Sequence, residues 1–372
     1  MDFSFSEEQK LIVESIRKFV EEELYPYETE VESTGSVRKQ LVNQIKSKAL
    51  DQGFYAANMP TDIGGGGLDC VTLALVEREL GRASFALQYL VARPSNILEA
   101  CVNDQRDRYL IPCVKGDKTE CLAMTEPNAG SDLRSMKCQA VRNGNDYIIN
   151  GTKHFISHAD IADFVILFAK TGEENTSRGK RNLITAFIVD KGTPGFEVRD
   201  GYSSVSHRGY HNFILEFNDC CISSSQILGE EGKGFDVANQ WLGPTRLQIA
   251  AMCLGRAERA LEYSIDWASN REQFGKLIGS FQGIGFKLAE MKMRLRASEL
   301  LTFQVAWMAD HGNAADMDYA MAKLSSTEML AFVSDEAIQI HGGMGLMSDL
   351  PLERIWRDAR VERIWEGTSE IQ

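Results

Sequence analysis

The periodicity of apolar residues changes twice along this 372-residue chain, and this change limits the possible folds more than any other feature. Apolar residues recur at helical spacing towards both ends, whereas the middle carries short runs rich in β-branched and aromatic residues, separated by turn residues. Such strands, with no helix between them, form a small antiparallel sandwich or barrel. We therefore predict an α+β, mostly α fold with a helical domain at 1–117, a middle antiparallel β-domain at 118–230 and a C-terminal four-helix bundle at 231–372.

Capping and turn residues set the expected element boundaries. Ser6, with Gln9 three positions later, predicts a capped helix start. The Gly64–Gly67 run predicts a flexible linker, because no Gly-Lys-Ser/Thr follows it as in a phosphate-binding loop. Pro94 predicts a kink or break near Arg93. We further expect helices over 73–81 and 84–102, an exposed polar loop at 173–181, and bundle helices near 245–270, 282–310 and 316–340.

Charge and composition exclude several classes of function. A net charge of −13 argues against a nucleic-acid binder. The eight Cys form no CxxC pair and the six His form no ligand cluster, so we expect reduced thiols and no metal site. No apolar run reaches the roughly 20 residues that span a membrane, and the N-terminus resembles neither a signal peptide nor a transit peptide. We expect a cytoplasmic protein, or a mitochondrial matrix protein if the chain is a processed form.

A carboxylate near the end of the chain is a candidate catalytic group. Glu366 follows Ile364 and Trp365, so we expect it to be partly desolvated, and desolvation raises the pKa of a carboxyl group toward the range of a general base. Gly367 lacks a Cβ and lets a ligand approach the backbone closely. Taken alone, these residues are explained more simply as a solvated Glu at the end of a surface helix.

Other segments carry groups suited to a planar, phosphorylated cofactor. Met124–Asp132 supplies backbone N–H groups and hydroxyls in a rigid turn. Asn150–Ser157 follows a strand and sets an aromatic residue two positions before a hydroxyl, so that both share a face of a regular strand. Arg271–Lys276 and Gln339–Gly343 end two bundle helices with groups that suit a pyrophosphate and a close backbone approach. Each segment alone is also compatible with an ordinary turn, strand or helix end.

Together and in this order, these segments and Glu366–Gln372 resemble the acyl-CoA dehydrogenase family, and the resemblance covers essentially the whole chain. It implies an N-terminal helical domain, a middle β-domain and a C-terminal bundle, with FAD bound at the seam between them. It also implies a homo-oligomer, either a dimer or a tetramer. Electron-transfer flavoprotein is the implied electron acceptor.

The resemblance implies a role for each candidate residue. Glu366 is implied as the catalytic base. The residues implied near the flavin are Met124, Thr125, Phe155 and Ser157, with Ser131 where the flavin phosphate meets the CoA arm, and Thr368 and Glu370 completing the cofactor site. Those implied at the adenine and pyrophosphate of FAD on a neighbouring subunit are Arg271, Phe274, Gln282, Gln339 and Gly343. The residues implied at the substrate are Ser131, Thr245, Arg246 and Gly367.

By the same resemblance, the expected reaction is the oxidation of an acyl-CoA to the 2-enoyl-CoA. Glu366 takes the α-proton while hydride leaves Cβ for flavin N5, and the Glu366 backbone N–H and a ribityl hydroxyl hold the thioester oxygen. Members of the family that use a base on the bundle helix carry Glu where Thr245 stands, which favours Glu366. The alternatives that stay open are a flavin oxidase, monooxygenase or desulfinase, an enzyme acting on a carrier-protein thioester, and a non-catalytic thioester-binding subunit.

Some positions depart from the family pattern. Gly243 stands where many members carry an acidic or amide residue facing the pantetheine, which leaves open how the thioester carrier is held. Tyr210 and Asn212 replace small hydroxyl residues. Arg93, in the expected wall of the acyl pocket, is suited to pair with a polar or carboxylated acyl tail. The alternative, a guanidinium that reaches solvent, is equally compatible with the sequence.

Overall fold

The computed structural model describes residues 4–91, 94–177 and 179–372 and begins with a helical block. The predicted capping box is present: Ser6 Oγ accepts from Gln9 N, and the Gln9 side chain accepts from Ser6 N. The helices of this block are α1 (Glu7–Phe19), which continues through a π-helical turn (Val20–Leu24), α2 (Glu28–Thr34), α3 (Lys39–Asp51), α4 (Cys70–Leu80), α5 (Phe85–Gln88) and α6 (Ile111–Val114). The apolar faces of α1 to α5 form one core around Ile16, Leu24, Leu41 and Ile45, whereas α6 packs in a second core with the sheet.

Two expectations for this block differ from the structure. The helix expected over 84–102 is reduced to α5 and a 3-10 turn (Asn96–Ala100), because Pro94 provides no N–H and disfavours helix in the residue before it. Arg93 lies outside the described residues, and with it the predicted kink and substrate contact. The Gly64–Gly67 run is held in place rather than loose. Its last three N–H groups donate to backbone carbonyls at 2.8–3.0 Å.

The middle block is one eight-stranded sheet in the order β6-β7-β3-β2-β4-β5-β8, with β1 beside β4. Its strands are β1 (Glu120–Ala123), β2 (Gln139–Asn143), β3 (Asp146–Ser157), β4 (Phe164–Thr176), β5 (Gly179–Asp190), β6 (Phe196–Asp200), β7 (Asn212–Ser223) and β8 (Ile227–Leu228). Most neighbours are antiparallel, as predicted. β4, however, pairs in parallel with β1 and, at one position, with β2, so the sheet is mixed.

The prediction of an exposed polar loop at 173–181 is wrong. β4 and β5 stay paired out to Thr176 and Gly179, so this segment is the end of a long hairpin. It is polar because it extends beyond the core, where charges pair across the strands, as Glu173 does with Lys180 at 3.3 Å. Closer to the core, alternate residues of β4 pack against the helices and against β3 and β7. Burial on both faces explains the continuous apolar run at 164–168.

The C-terminal block contains the long helices α7 (Gly234–Asn270), α8 (Gln282–Asp310) and α9 (Asp316–His341) and the shorter α10 (Leu352–Glu362). A two-stranded ribbon, β9 (Glu272–Gln273) and β10 (Lys276–Leu277), joins α7 to α8. The first bundle helix begins well before the predicted 245, because Pro244 lies inside it rather than at its start. Among the described residues, no helix combines the length and apolarity needed to cross a membrane.

A buried carboxylate ties this block to the N-terminal helices. Glu28 of α2 accepts from Arg259 of α7 at 3.0 Å and lies 2.8 Å from an Arg354 nitrogen of α10. All three side chains are buried. Removing one partner of such a cluster leaves an uncompensated charge, which is strongly destabilising. The cluster therefore fixes α10, and with it the start of the segment that carries Glu366.

Candidate active site

Glu366 lies in the segment that follows α10, in a backbone conformation that few residues adopt. Its φ is +52°, and the φ of Gly367 is +97°. A left-handed backbone costs a non-glycine residue roughly 1–2 kcal/mol. A Cβ at position 367 would also lie 2.6 Å from Gln372 Nε2, so a larger residue would displace the Gln372 side chain in addition to meeting the unfavourable φ. Glu366 is half-buried.

Side chains from three parts of the chain hold the carbonyl groups of this turn. Lys323 Nζ, from α9, donates to the Gly367 oxygen at 2.7 Å. Gln372 Nε2 donates to the same oxygen at 3.0 Å and to the Glu366 oxygen at 3.1 Å. Arg246 Nε, from α7, lies 3.4 Å from the Glu366 oxygen. We call Glu366, Gly367 and these three donors the base loop cluster.

Behind the turn, a buried ionic group fixes Trp365. The Trp365 indole N–H donates to Glu362 Oε2 at 2.7 Å, and the other Glu362 oxygen contacts Arg256 and lies 3.0 Å from His207 Nε2. Glu362 is fully buried. Although burial raises its pKa, Arg256 and His207 outweigh this and hold the pKa of Glu362 at about 2. Glu362 therefore stays ionised and keeps the residue before Glu366 in one orientation.

The α7 residues predicted at the substrate lie beside the base loop cluster. Thr245 precedes Arg246, and its hydroxyl donates to the Trp241 carbonyl at 3.0 Å. Burial lowers the pKa of Arg246. Gly243, one of the departures from the family pattern, is buried. A Cβ there would lie 3.0 Å from two carbons of the Tyr319 ring, so this ring occupies the space of a larger side chain.

On the sheet side, a buried ion pair fixes the Met124–Thr125 segment. Lys153 of β3 is 0 % exposed and donates to the Met124 carbonyl and to Glu126 Oε1, both at 2.8 Å. Glu126 also accepts from two backbone N–H groups, those of Lys137 at 2.6 Å and Cys138 at 3.0 Å. We call Lys153, Glu126 and Met124 the sheet-side cluster.

The end of β3 presents Phe155 and Ser157, but not by regular alternation. The register shifts between Lys153 and Ile156, and Phe155 has a φ of +57°. Lys153 and Phe155 should share a face, yet the first is fully buried and the second is 55 % exposed. The bulge turns the Phe155 ring outward against Tyr202, with ring centroids 5.0 Å apart. The prediction that Phe155 and Ser157 share a face assumed a regular strand, and the strand is interrupted there.

A cluster of rings lies between the Ser157 end of β3 and Trp365. His158 stacks on Tyr89 at 4.3 Å and meets Tyr210 edge-on at 4.2 Å, while Phe85 meets Tyr210 at 4.6 Å and Trp365 at 4.9 Å. Burial lowers the pKa of His158 to about 3. Tyr210 thus packs in this cluster rather than acting as a small hydroxyl. Asn212 exchanges two hydrogen bonds with the Tyr202 backbone, at 3.0 and 2.8 Å.

The residues predicted at a neighbouring subunit's FAD form a separate, exposed set. Arg271 ends α7, Phe274 lies in the turn of the β9–β10 ribbon, and Gln282 begins α8. Gln339 and Gly343 lie at the end of α9. The two groups are linked by Trp267, whose ring stacks on His341 at 5.0 Å and lies 5.9 Å from the Arg271 guanidinium.

The residues present fit FAD. Phe155 is 55 % exposed at the sheet, and Phe274 is 94 % exposed beside Arg271. Stacking of such rings on a flat heterocycle is favourable, and a guanidinium suits a pyrophosphate. Thr125, Ser131 and Ser157 add neutral hydrogen-bonding groups near the sheet. Two residues of the predicted set, Ser131 and Glu370, are exposed. Among the described residues, neither contacts the base loop cluster or the sheet-side cluster.

Sequence reasoning missed Lys153, Glu126, Lys323 and Gln372. For Lys323 a signal exists: it lies at helical spacing from Ala320, Thr327 and Leu330, which are all buried. A lysine in such a stripe cannot reach solvent easily and must find a partner inside. Lys153 follows the same logic in β3, where it continues the inward-facing positions of Tyr147 and Ile149.

Comparisons with known proteins find similarity along nearly the whole chain. The family models described as the acyl-CoA dehydrogenase N-terminal, middle and C-terminal domains match residues 6–117, 121–220 and 232–372. The chain is 36% identical over 373 residues to a 3-(aryl)acrylate reductase of Clostridium sporogenes, covering 99% of this chain and 97% of the relative. It is similar in structure to the butyryl-CoA dehydrogenase of Megasphaera elsdenii, with a TM-score of 0.89, 33% identity and coverage of 100% and 97%. It is also similar to PigA in its FAD complex, with a TM-score of 0.90, 30% identity and the same coverage.

Proposed function

The chain belongs to the acyl-CoA dehydrogenase family of FAD-dependent oxidoreductases, and from this premise we propose that it oxidises an acyl-CoA between Cα and Cβ with Glu366 as the base. The observation that carries the proposal is the base loop cluster. Glu366 is a half-buried carboxylate on a turn whose carbonyls are held by Arg246, Lys323 and Gln372. A fixed carboxylate is what abstraction of a weakly acidic α-proton requires. Thr245 supplies no competing carboxylate on α7.

In this mechanism the protein moves one proton and stabilises one developing charge. Glu366 takes the α-proton of the thioester. Its backbone N–H donates to the thioester oxygen as negative charge develops there. Bound FAD supplies the two-electron acceptor for the hydride from Cβ. Trp365, whose indole N–H is held by Glu362, packs edge-on against Phe85 and so fixes the residue before Glu366.

The cofactor and assembly parts of the proposal follow the same residues. Met124, Thr125, Phe155 and Ser157 would hold the flavin, with Ser131, Thr368 and Glu370 completing its site, and Arg246, Thr245 and Gly367 would contact the substrate. The set at Arg271, Phe274, Gln282, Gln339 and Gly343 would contact FAD of a second copy, and the 94 % exposure of the Phe274 ring supports this. The proposal includes domain limits at 117/118 and 230/231 and electron-transfer flavoprotein as the electron acceptor.

A second candidate function is the same chemistry in the reductive direction. One relative at 36% identity is named a 3-(aryl)acrylate reductase. A base that removes an α-proton also returns it when the 2-enoyl group is reduced, because the forward and reverse reactions share one transition state. The direction is then set by the electron partner rather than by Glu366.

The test begins with the purified FAD-loaded protein and a panel of acyl-CoA esters that starts with butyryl-CoA. Under anaerobic conditions we expect one ester to bleach the flavin absorbance and yield the 2-enoyl-CoA. Reoxidation by electron-transfer flavoprotein, by oxygen or by a dye then separates a dehydrogenase from an oxidase. Reduction of a 2-enoyl-CoA by the chemically reduced protein tests the second candidate. A protein that no ester bleaches, and that reduces no enoyl-CoA, is not such an enzyme.

Glu366→Gln tests the assigned base. We expect retained FAD and a flavin-reduction rate lowered by roughly 10²–10⁴-fold, the usual contribution of a general base. Glu336→Gln is the matched control, because Glu336 is a carboxylate of α9 that pairs with Lys287 away from the turn. Bleaching by Glu366→Gln at the wild-type rate would assign the base elsewhere.

A further inference from the structure

The turn that carries Glu366 is strained, and something has to keep it in place. Two consecutive residues, Glu366 and Gly367, adopt left-handed backbone angles. Such conformations cost of order 1–3 kcal/mol each outside glycine and persist only where the surroundings over-determine them. The surroundings that do so are the donors to the two carbonyl groups. They fix the peptide planes on the C-terminal side of Glu366, and so the direction of its side chain.

Of these donors, Lys323 is the one set deepest in the protein. Its side chain is 0 % exposed, and its bond to the Gly367 oxygen, at 2.7 Å, is the shortest of the set. Arg246 lies in the proposed substrate site and is only half-buried, as is Gln372. Lys323 also comes from α9, a helix packed against α7 and α8 and therefore a rigid support.

The surroundings of Lys323 argue against a role in stability alone. Among the described residues, no carboxylate oxygen lies within 4.0 Å of its amine, although Glu362 and Glu366 are close enough to act on it electrostatically. Burial lowers the pKa of Lys323. Burying an amine without a direct ion pair costs folding free energy. A protein with an apolar side chain of similar volume at such a position is often as stable or more stable. Its retained contact is the carbonyl next to Glu366.

We propose that Lys323 is a positioning residue for Glu366: its buried amine holds the Gly367 carbonyl and so fixes the left-handed turn that aims the base at the α-carbon. This inference rests on the proposed function of Glu366. It assigns to α9 a part in proton transfer that does not require contact with substrate or cofactor. Displacing a reacting group by about 1 Å can lower a rate by 10²-fold, so the effect of losing this contact is expected in the chemical step.

Lys323→Met removes the donor and keeps most of the length and volume of the side chain. With the fastest acyl-CoA of the panel, we expect the limiting rate of flavin reduction to fall by roughly ten- to a hundred-fold, with little change in the Kd of the ester. The kinetic isotope effect of an ester deuterated at Cα should rise more than that of one deuterated at Cβ, because the proton step is impaired. FAD content and Tm should stay near the wild-type values.

Lys287→Met is the matched control. Lys287 belongs to α8, contacts Glu336 of α9, and takes no part in the base loop cluster. It should leave the reduction rate and both isotope effects unchanged. If a folded, FAD-loaded Lys323→Met protein is reduced at the wild-type rate, the proposal is wrong.

A second variant covers the case in which Lys323→Met does not fold. Lys323→Leu also removes the donor but differs from Met in shape, and we expect it to fold with a reduction rate below that of the wild type. A wild-type rate in this variant, or failure of both variants to fold, would assign Lys323 to structure alone. If no ester bleaches the flavin of the wild-type protein, the proposed function is wrong. If an ester bleaches the wild type and Lys323→Met equally fast, only the role of Lys323 is wrong, so the two failures are distinguishable.

Discussion

Two fully buried lysines support the two sides of the site, and they do so in different ways. Lys153, on the sheet side, donates to the Met124 carbonyl and pairs directly with Glu126. Lys323, on the bundle side, donates to the Gly367 carbonyl without a carboxylate within ion-pair distance among the described residues. The first is a charge-compensated cluster, and the second is a single donor under a strained turn. We expect loss of the Lys153 contacts to lower the stability of the fold, and loss of the Lys323 contact to lower the rate of the chemical step.

The largest effect tests the sheet-side cluster. Lys153→Met leaves Glu126 buried without its cation, and breaking a buried pair in this way costs about 3–5 kcal/mol. We expect the urea midpoint to fall accordingly and FAD to dissociate more readily, since the Met124 carbonyl loses its donor. The double variant Lys153→Met/Glu126→Leu should recover part of the loss, because no charge is left unpaired. A midpoint for Lys153→Met equal to that of Lys323→Met would remove the distinction between the two lysines.

A smaller effect is expected at the turn itself. Gly367→Ala places a Cβ at a φ of +97° and 2.6 Å from Gln372 Nε2, so the Gln372 side chain has to move and the turn carries strain of about 1–3 kcal/mol or relaxes. We expect the lost Gln372 contacts and the relaxation to shift Glu366, and therefore a lower rate of flavin reduction with FAD content preserved. Gly144→Ala is the control. Its φ of +62° is also positive, but it lies in the β2–β3 turn away from Glu366. Equal reduction rates in the two variants would contradict a special role for the base turn.

The smallest effect is the pH dependence of stability that His158 contributes on the sheet side. The pKa of His158 is lowered by burial to about 3, so it is neutral in the folded protein, and the stability this provides is present above its unfolded pKa near 6.5 and lost as the pH falls. Between pH 7 and pH 5.5 the loss amounts to about 1 kcal/mol. Glu362, behind the base turn, has a pKa of about 2 and adds no slope in this range.

His158→Asn tests this assignment. Asn tolerates the φ of +55° at this position and does not titrate. The variant is expected to have a lower urea midpoint at both pH values but a smaller difference between them. The same difference as in the wild type would mean that another group is responsible.

The sequence predicted the fold well where each element has its own signal. The capping box at Ser6, the β-rich runs and the long bundle helices all have local periodicity or turn chemistry. It failed at element boundaries. The helix expected over 84–102 is reduced to α5 and a 3-10 turn on either side of Pro94, which is a local effect. The helix expected near 245 begins at Gly234 with Pro244 inside it, and the polar run at 173–181 belongs to paired strands. In these last two cases a tertiary environment, rather than local preference, decided the outcome.

The sequence alone determined that a carboxylate, a hydroxyl-rich loop and an aromatic residue occur in an order that identifies the family. These features depend on residue type and order, so the sequence is sufficient to identify them. Only the tertiary structure decided that Glu366 lies on a left-handed turn, and that Lys323, 43 positions earlier, lies beneath it. A long-range contact between a buried amine and a carbonyl has no local pattern, because it depends on where α9 packs. The sequence therefore indicates which groups react, such as Glu366, whereas the tertiary structure shows which groups position them, such as Lys323.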